Sequence, residues 1–221
     1  MIPKKLHQVF FQLGKPLAEL TLFTESTKQF QAMHSDWEYK LWREDDCLEL
    51  MRTKLPQYYE FYKNLRYDIQ RIDYIRYAIL YCEGGIYVDL DHLPLKPFDD
   101  LLSNKFIMHN MSNFNESNQD FVHNDLMGSP KGFRFWDILL SEMVENYKEK
   151  ENIEVYKTWK GRFVLQTTGP RFVSRVLKAV LPSYKPMRLS WTKWRNDNWK
   201  NISKENYYTE NHVTAEWMKT F

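Results

Sequence analysis

Asp89 and Asp91 stand two apart in the run Ile86-Tyr87-Val88-Asp89-Leu90-Asp91. Ile86, Val88 and Leu90 alternate with Tyr87, Asp89 and Asp91, which is the two-residue period of a strand with one apolar face. That period predicts both carboxylates on one face, about 6.5 Å apart, at the strand's carboxyl end, where open α/β sheets bind ligands. Two carboxylates so placed repel each other unless a cation or hydrogen-bond donors hold them. A hard divalent ion that also contacts phosphate oxygens suits the pair. A solvated strand end bearing two acids suits it equally well.

The residues before this strand must position it. Asp68 to Glu83 predicts a helix whose Ile69, Ile72, Ile75, Ile79 and Cys82 form a core face. Gly84-Gly85 ends the helix and turns the chain into the strand. Asp73 and Arg76, three apart, share a separate face of that helix. On the residues alone they are either an ordinary ion pair worth about 0.2–0.5 kcal/mol or part of a site at the strand's end.

The whole run from Asp73 to Asp91, D-x-x-R-Y-x-x-L-Y-x-x-G-G-I-Y-V-D-L-D, spans 19 consecutive positions. It closely resembles the signature of the DXD-containing sugar transferases of glycosyltransferase family 32, which include the fungal Golgi mannosyltransferase that initiates outer chains and many bacterial and viral capsule enzymes. The resemblance implies a GT-A-like (Rossmann-like) α/β fold, a mostly parallel twisted sheet flanked by helices, in one domain over residues 1–221. It also implies a retaining, metal-dependent transfer of a sugar from a UDP- or GDP-sugar to a glycan, lipid-linked or protein acceptor, with Mn2+ or Mg2+ as the ion. Asp91 would then be a metal ligand, with Asp89 on the ribose and the metal's waters. Arg76 and Asp73 would hold the donor sugar and its phosphate, and Gly85 and Tyr87 would belong to the same nucleotide-sugar set.

Other segments resemble the family in pieces. Ile2-Pro3-Lys4-Lys5-Leu6-His7-Gln8-Val9-Phe10 is similar to its entry strand, with Phe10 where Trp is usual, which makes Gln8 and Phe10 expected base contacts. Phe121 to Gly132 resembles a strand ending in Asn and a small-residue turn, which directs Asn124 and Asp125 at the transferred sugar. Gln166-Thr167-Thr168-Gly169-Pro170 resembles a T-G-P helix start, where Gly169 would let the backbone approach the diphosphate. Plain helix capping by Thr168 explains that stretch as well. Asn211 to Trp217 resembles a terminal H-x-x-x-S-W with Glu216 in place of Ser. By that resemblance His212 completes the metal site and Trp217 closes over the nucleotide.

Composition narrows the rest. With 43% hydrophobic residues the chain can build a core, and 31 basic against 29 acidic side chains argues against a general nucleic-acid binder. Cys47 and Cys82 read as buried, reduced thiols. There is no apolar run of membrane-spanning length and no signal-peptide core. We therefore expect a cytoplasmic enzyme, or a Golgi lumenal one if an N-terminal anchor has been removed. Residues 184–204 interleave Trp191, Trp194 and Trp199 with Lys185, Arg188, Lys193, Arg195 and Lys200, which is an ordinary surface, a peripheral membrane contact or a seat for single-stranded nucleic acid. Two other function classes stand beside the transferase. One is a haloacid-dehalogenase-like phosphatase using Asp89 and Asp91, although Asp91 lacks the Gly-Thr that usually follows. The other is a catalytically silent sugar-binding module.

Overall fold

Three parallel strands set the direction of the sheet: β1 (Lys5–Val9) lies between β2 (Glu38–Trp42) and β3 (Gly85–Val88). Beyond β3 come β6 (Val122–Ser129), β5 (Ile107–Asn110) and β7 (Met187–Leu189), giving the order β2-β1-β3-β6-β5-β7. Only β6 runs against its neighbours, so the sheet is mostly parallel. A second, two-stranded sheet pairs β4 (His92–Pro94) with β8 (Thr209–Asn211). The computed structural model describes residues 1–110, 122–180, 183–184, 186–189, 207–212 and 214.

Side chains alternate across the strands into two cores. Leu6, Ile86, Val88 and Ile107 pack with Phe30 of α1 (Thr21–Met33), Trp37 and Phe98 on one side. Tyr87, Met108 and Met127 pack on the other against α2 (Glu44–Lys54), α4 (Asp68–Glu83), α5 (Arg134–Lys150), α7 (Lys160–Thr167) and α8 (Pro170–Val180). The short helices α3 (Pro56–Lys63) and α6 (Glu154–Thr158) complete the helical layer. Helices on both faces of a mostly parallel sheet are the α/β arrangement expected. Both cysteines are free and buried. Among the described residues no helix is long and apolar enough to cross a membrane.

Two expectations are corrected here. The strand predicted through Asp91 stops at Val88. The Asp89 N–H still joins the ladder, donating to the Asp125 carbonyl at 2.8 Å, but the Asp89 carbonyl accepts from the His92 N–H at 3.2 Å. That second bond closes a turn over Asp89–His92, so Asp89 and Asp91 do not sit on one strand face. Nor is β3 apolar on one face only, because Tyr87 is as buried as Ile86 and Val88.

Gly84 and Gly85 end α4 and start β3 with φ of +69° and +94°. A Cβ on Gly85 would stand 2.5 Å from the Lys5 carbonyl oxygen and 2.8 Å from the Lys5 Cβ. Gly85 therefore serves the close approach of β1, and it lies at the amino end of β3, about 13 Å of extended strand from Asp89. That removes it from the nucleotide-sugar contacts expected of it. Gly85→Ala should lower unfolding free energy by about 2 kcal/mol or more, read as a shifted urea midpoint with an unchanged m-value.

Candidate active site at the end of the third strand

α4 carries the first part of the site. It is buried nearly all round, so the face bearing Asp73 and Arg76 is as dry as the isoleucine face; the two are 4% and 3% exposed. Arg76 donates from Nη1 to the Asn124 carbonyl at 2.7 Å and to Asp89 Oδ2 at 3.3 Å, and its Nη2 lies 3.4 Å from Asp73 Oδ1. Its guanidinium also lies over the Tyr87 ring, 5.1 Å from the centroid. A buried charge is tolerated only when paired and hydrogen-bonded, and this one has two carboxylates and two carbonyls, the second being that of Ile72, which accepts from Nε at 3.3 Å.

Those carboxylates are held in turn. Asp73 accepts from Asn124 Nδ2 at 2.9 Å and from Thr168 Oγ1 at 2.8 Å. Asn124 Nδ2 also donates to the Tyr77 hydroxyl, and the Tyr77 hydroxyl donates to the Thr168 carbonyl. Asp89 accepts from the Tyr87 hydroxyl at 2.5 Å and keeps 27% of its side chain exposed. Burial pushes the Asp89 carboxyl up to about 7, with Arg76 opposing and Asp91 adding to the shift. Burial likewise raises Asp73 against the pull of Arg76, Thr168 and Asn124.

Asn124 and Asp125 sit where β6 bulges. Met127 faces Met108 and His123 faces His109, which leaves Asn124, Asp125 and Leu126 without a partner on β5. Bulges re-aim side chains, and here they send the two neighbours apart. Asn124 reaches Asp73 and Tyr77 on α4, whereas Asp125 turns to His109 Nδ1 at 2.7 Å and Asn211 Nδ2 at 2.9 Å. The expectation that both point at one sugar is therefore corrected: only Asn124 joins the Asp73–Arg76–Asp89 group. Despite burial, His109 and His92 hold Asp125 well below the usual carboxylate range.

The C-terminal segment meets the turn from the other side. The His212 N–H donates to the Asp91 carbonyl at 2.8 Å, and the Thr214 N–H donates to Asp91 Oδ2 at 3.1 Å. His212 Nε2 is buried, has no hydrogen-bond partner among the described residues, and stands 3.7 Å from Glu210 Oε1. His212 and Asp91 are thus brought together by one backbone clasp, while the described His, Cys, Asp and Glu side chains whose ligand atoms lie within 4.8 Å of one another are those of His92, His109 and Asp125.

The remaining predicted residues lie elsewhere. Gln8 is fully buried; its amide donates to Ser26 Oγ at 3.0 Å and accepts from the Tyr39 hydroxyl at 2.8 Å. Phe10 is 6% exposed beneath the Arg43 guanidinium, 4.9 Å from its ring. Both are buried in the structure, which fits the core-strand reading of each residue. The space beside Gly169 is taken by Leu165 and Val164 of the preceding helix α7 and by Asp73 Oδ2, 3.6 Å from where a Cβ would stand. Trp217 and most of 184–204 fall outside the described residues. Tyr77, Thr168 and His109 join these networks as well, and of the three Tyr77 has a sequence signal, its place inside the D-x-x-R-Y signature.

Residues 22–112 match the family described as the glycosyltransferase sugar-binding region containing the DXD motif. The chain thus carries a region similar to the DXD sugar-binding region of glycosyltransferases over residues 22–112. It is 29% identical over 178 residues to a mannosyl phosphorylinositol ceramide synthase of Saccharomyces cerevisiae, covering 80% of the chain and 42% of that protein. It is 31% identical over 180 residues to inositol phosphoceramide mannosyltransferase 3 of Schizosaccharomyces pombe, covering 80% and 45%. The chain thus spans less than half the length of these curated relatives. Among solved structures it resembles the PaToxG glycosyltransferase with a TM-score of 0.60 and 17% identity, covering 82% of this chain and 70% of that one. The UDP-bound glycosyltransferase domain of the YGT toxin gives 0.52 at 9% identity, covering 86% and 79%. These likenesses carry the GT-A fold, and DXD glycosyltransferases generally use a divalent metal. No comparison points to a phosphatase among the relatives named here.

Two predictions concern Arg76 and Asp89. Arg76→Lys keeps the charge but loses the fork that reaches Asp89, Asp73 and the Asn124 carbonyl at once, and should cost about 1–3 kcal/mol of stability by denaturant titration. Because the Asp89 pKa is raised on folding, its contribution is fully present below about pH 4 and lost as pH rises through about 7. Without metal, the stability of wild type relative to Asp89→Asn should fall between pH 5 and 7. The slope should stay under about 1.4 kcal/mol per pH unit, since the side chain is partly exposed. A flat difference between the two proteins over this window would remove the shift.

Proposed function

We propose that this domain transfers a sugar from a nucleoside diphosphate to a hydroxyl acceptor with retention at the anomeric carbon, in a metal-dependent reaction. The observation that carries this reading is the clasp at the DXD turn: Asp91 is held by the backbone of His212 and Thr214 beside an unpartnered imidazole nitrogen. Asp89, Asp91 and His212 would hold the ion, which when bound supplies Lewis-acid neutralisation of charge on the departing diphosphate. Arg76 favours the ionised Asp89 against its burial and fixes the carboxylate's direction through Nη1. Asn124 fixes Asp73, and the bonds from Thr168 and Tyr77 leave that pair little freedom to turn. Preorganised groups of this kind need no reorganisation as charge develops.

Retention is taken from the family resemblance, and the nearby carboxylates bear on its route. Asp73 and Asp125 each accept two or more hydrogen bonds inside the protein, so neither offers a free oxygen as a covalent nucleophile. Attack of the acceptor on the same face as the departing diphosphate needs no such nucleophile. The names of the relatives support a mannosyl donor and a membrane lipid with an inositol phosphate headgroup as acceptor. A UDP- or GDP-hexose is the donor class.

Asp91→Ala should lower the transfer rate, or the slower hydrolysis of a UDP- or GDP-hexose, by at least about a hundred-fold, by analogy with the loss of one oxyanion donor. Histidine at 212 replaced by Ala should weaken Mn2+ binding in calorimetry while circular dichroism stays unchanged. Full turnover in excess chelator, or turnover of an aryl phosphate in place of a nucleotide sugar, would overturn the proposal.

A further inference from the structure

Behind the DXD turn lies a second cluster of metal-ligating side chains that the transferase reading does not use. His92 leaves the turn on β4, His109 ends the regular pairing of β5, and Asp125 comes from the β6 bulge. They are 0%, 1% and 7% exposed, and one ligand atom from each lies within 4.8 Å of the other two. His109 Nδ1 is 2.7 Å from Asp125 Oδ1. His92 Nε2 is 3.4 Å from Asp125 Oδ2, facing it as a charge contact, yet it is buried and forms no hydrogen bond among the described residues.

We propose that His92, His109 and Asp125 form a second, structural site for a zinc-class transition-metal ion, distinct from the ion of the DXD turn. Two imidazoles and a carboxylate are the donors such ions take, whereas magnesium and calcium take oxygen alone. The surroundings of the ligands are those of a built site. A ligating histidine characteristically spends its other nitrogen on a fixed partner, and His92 Nδ1 meets Thr209 Oγ1 at 2.9 Å. A ligating carboxylate is characteristically hydrogen-bonded as well, and Asp125 Oδ2 accepts from Asn211 at 2.9 Å. Both supports come from β8, directly opposite β4. With metal–ligand bonds of about 2.0–2.2 Å, tetrahedral ligands stand about 3.3 Å apart. The three atoms close on an ion by moving about an ångström, and the orphaned His92 nitrogen gains the partner it lacks.

The ion would tie β4 to β5 and β6, and so brace the strand that leaves Asp91. This proposal does not depend on which reaction the domain catalyses. Its test is metal binding by the full chain, stripped with a strong chelator and titrated with Zn2+ while melting temperature is followed, then with Co2+ while visible absorption is followed. The expected result is one equivalent bound, a higher melting temperature and a cobalt spectrum. Both signals should be retained in Asp91→Ala and lost in His92→Gln. Thr209→Val keeps all three ligands and removes only the support of His92, so it should weaken zinc about 10–100-fold without loss of fold. A melting temperature indifferent to Zn2+ would overturn the proposal, as would zinc affinity equal to wild type in both His92→Gln and Thr209→Val. Loss of the signals in Asp91→Ala would also overturn it, by assigning them to the DXD turn.

Discussion

The buried guanidinium of Arg76 is the charge that the interior of this domain is arranged to accommodate. Removing an arginine from water is costly unless its charge and its N–H groups all find partners. Asp73 and Asp89 supply the charge, and the Asn124 carbonyl takes the shortest bond. Each carboxylate then needs donors of its own. Asn124 and Thr168 supply them to Asp73, and Tyr87 supplies one to Asp89. One buried cation thereby draws α4, the end of β3, the bulge of β6 and the junction of α7 with α8 to a single point.

The border of that network is where chemistry becomes accessible. Asp73 and Arg76 are closed off, while Asp89 remains partly exposed and hinged between a tyrosine and a guanidinium. A carboxyl whose burial favours protonation, but whose neighbour favours ionisation, is poised to respond to an incoming cation. The β6 bulge separates functions that adjacent residues would otherwise share. Asn124 joins the arginine network, and Asp125 joins the histidines below the turn.

Local patterns were legible where local forces decide. The helix over Asp68–Glu83 was read to the residue, because a glycine pair with positive φ stops it. Asp73 and Arg76 share a face as the helical period requires. What could not be read was burial of that face, which turned a surface-type ion pair into an interior one. Strand alternation ran past Val88 because the bond that ends the strand, from the His92 N–H to the Asp89 carbonyl, leaves no mark on the hydrophobic pattern. Gln8 looked like a ligand contact, and its partners Ser26 and Tyr39 come from other elements. The meeting of His92, His109 and Asp125 depends on a bulge and on a second sheet, neither of which has a signal in the period of any one segment.

The pairing of β4 with β8 bears on how the protein comes into being. His92 and Thr209 touch across 117 positions of sequence, and closing so long a loop is entropically costly before any contact rewards it. During translation the central strands, α4 and the arginine network have emerged from the ribosome well before β8 exists. A nascent chain therefore holds the scaffold's residues while its DXD turn still lacks its clasp, and the capacity to grip a donor waits until β8 has been made.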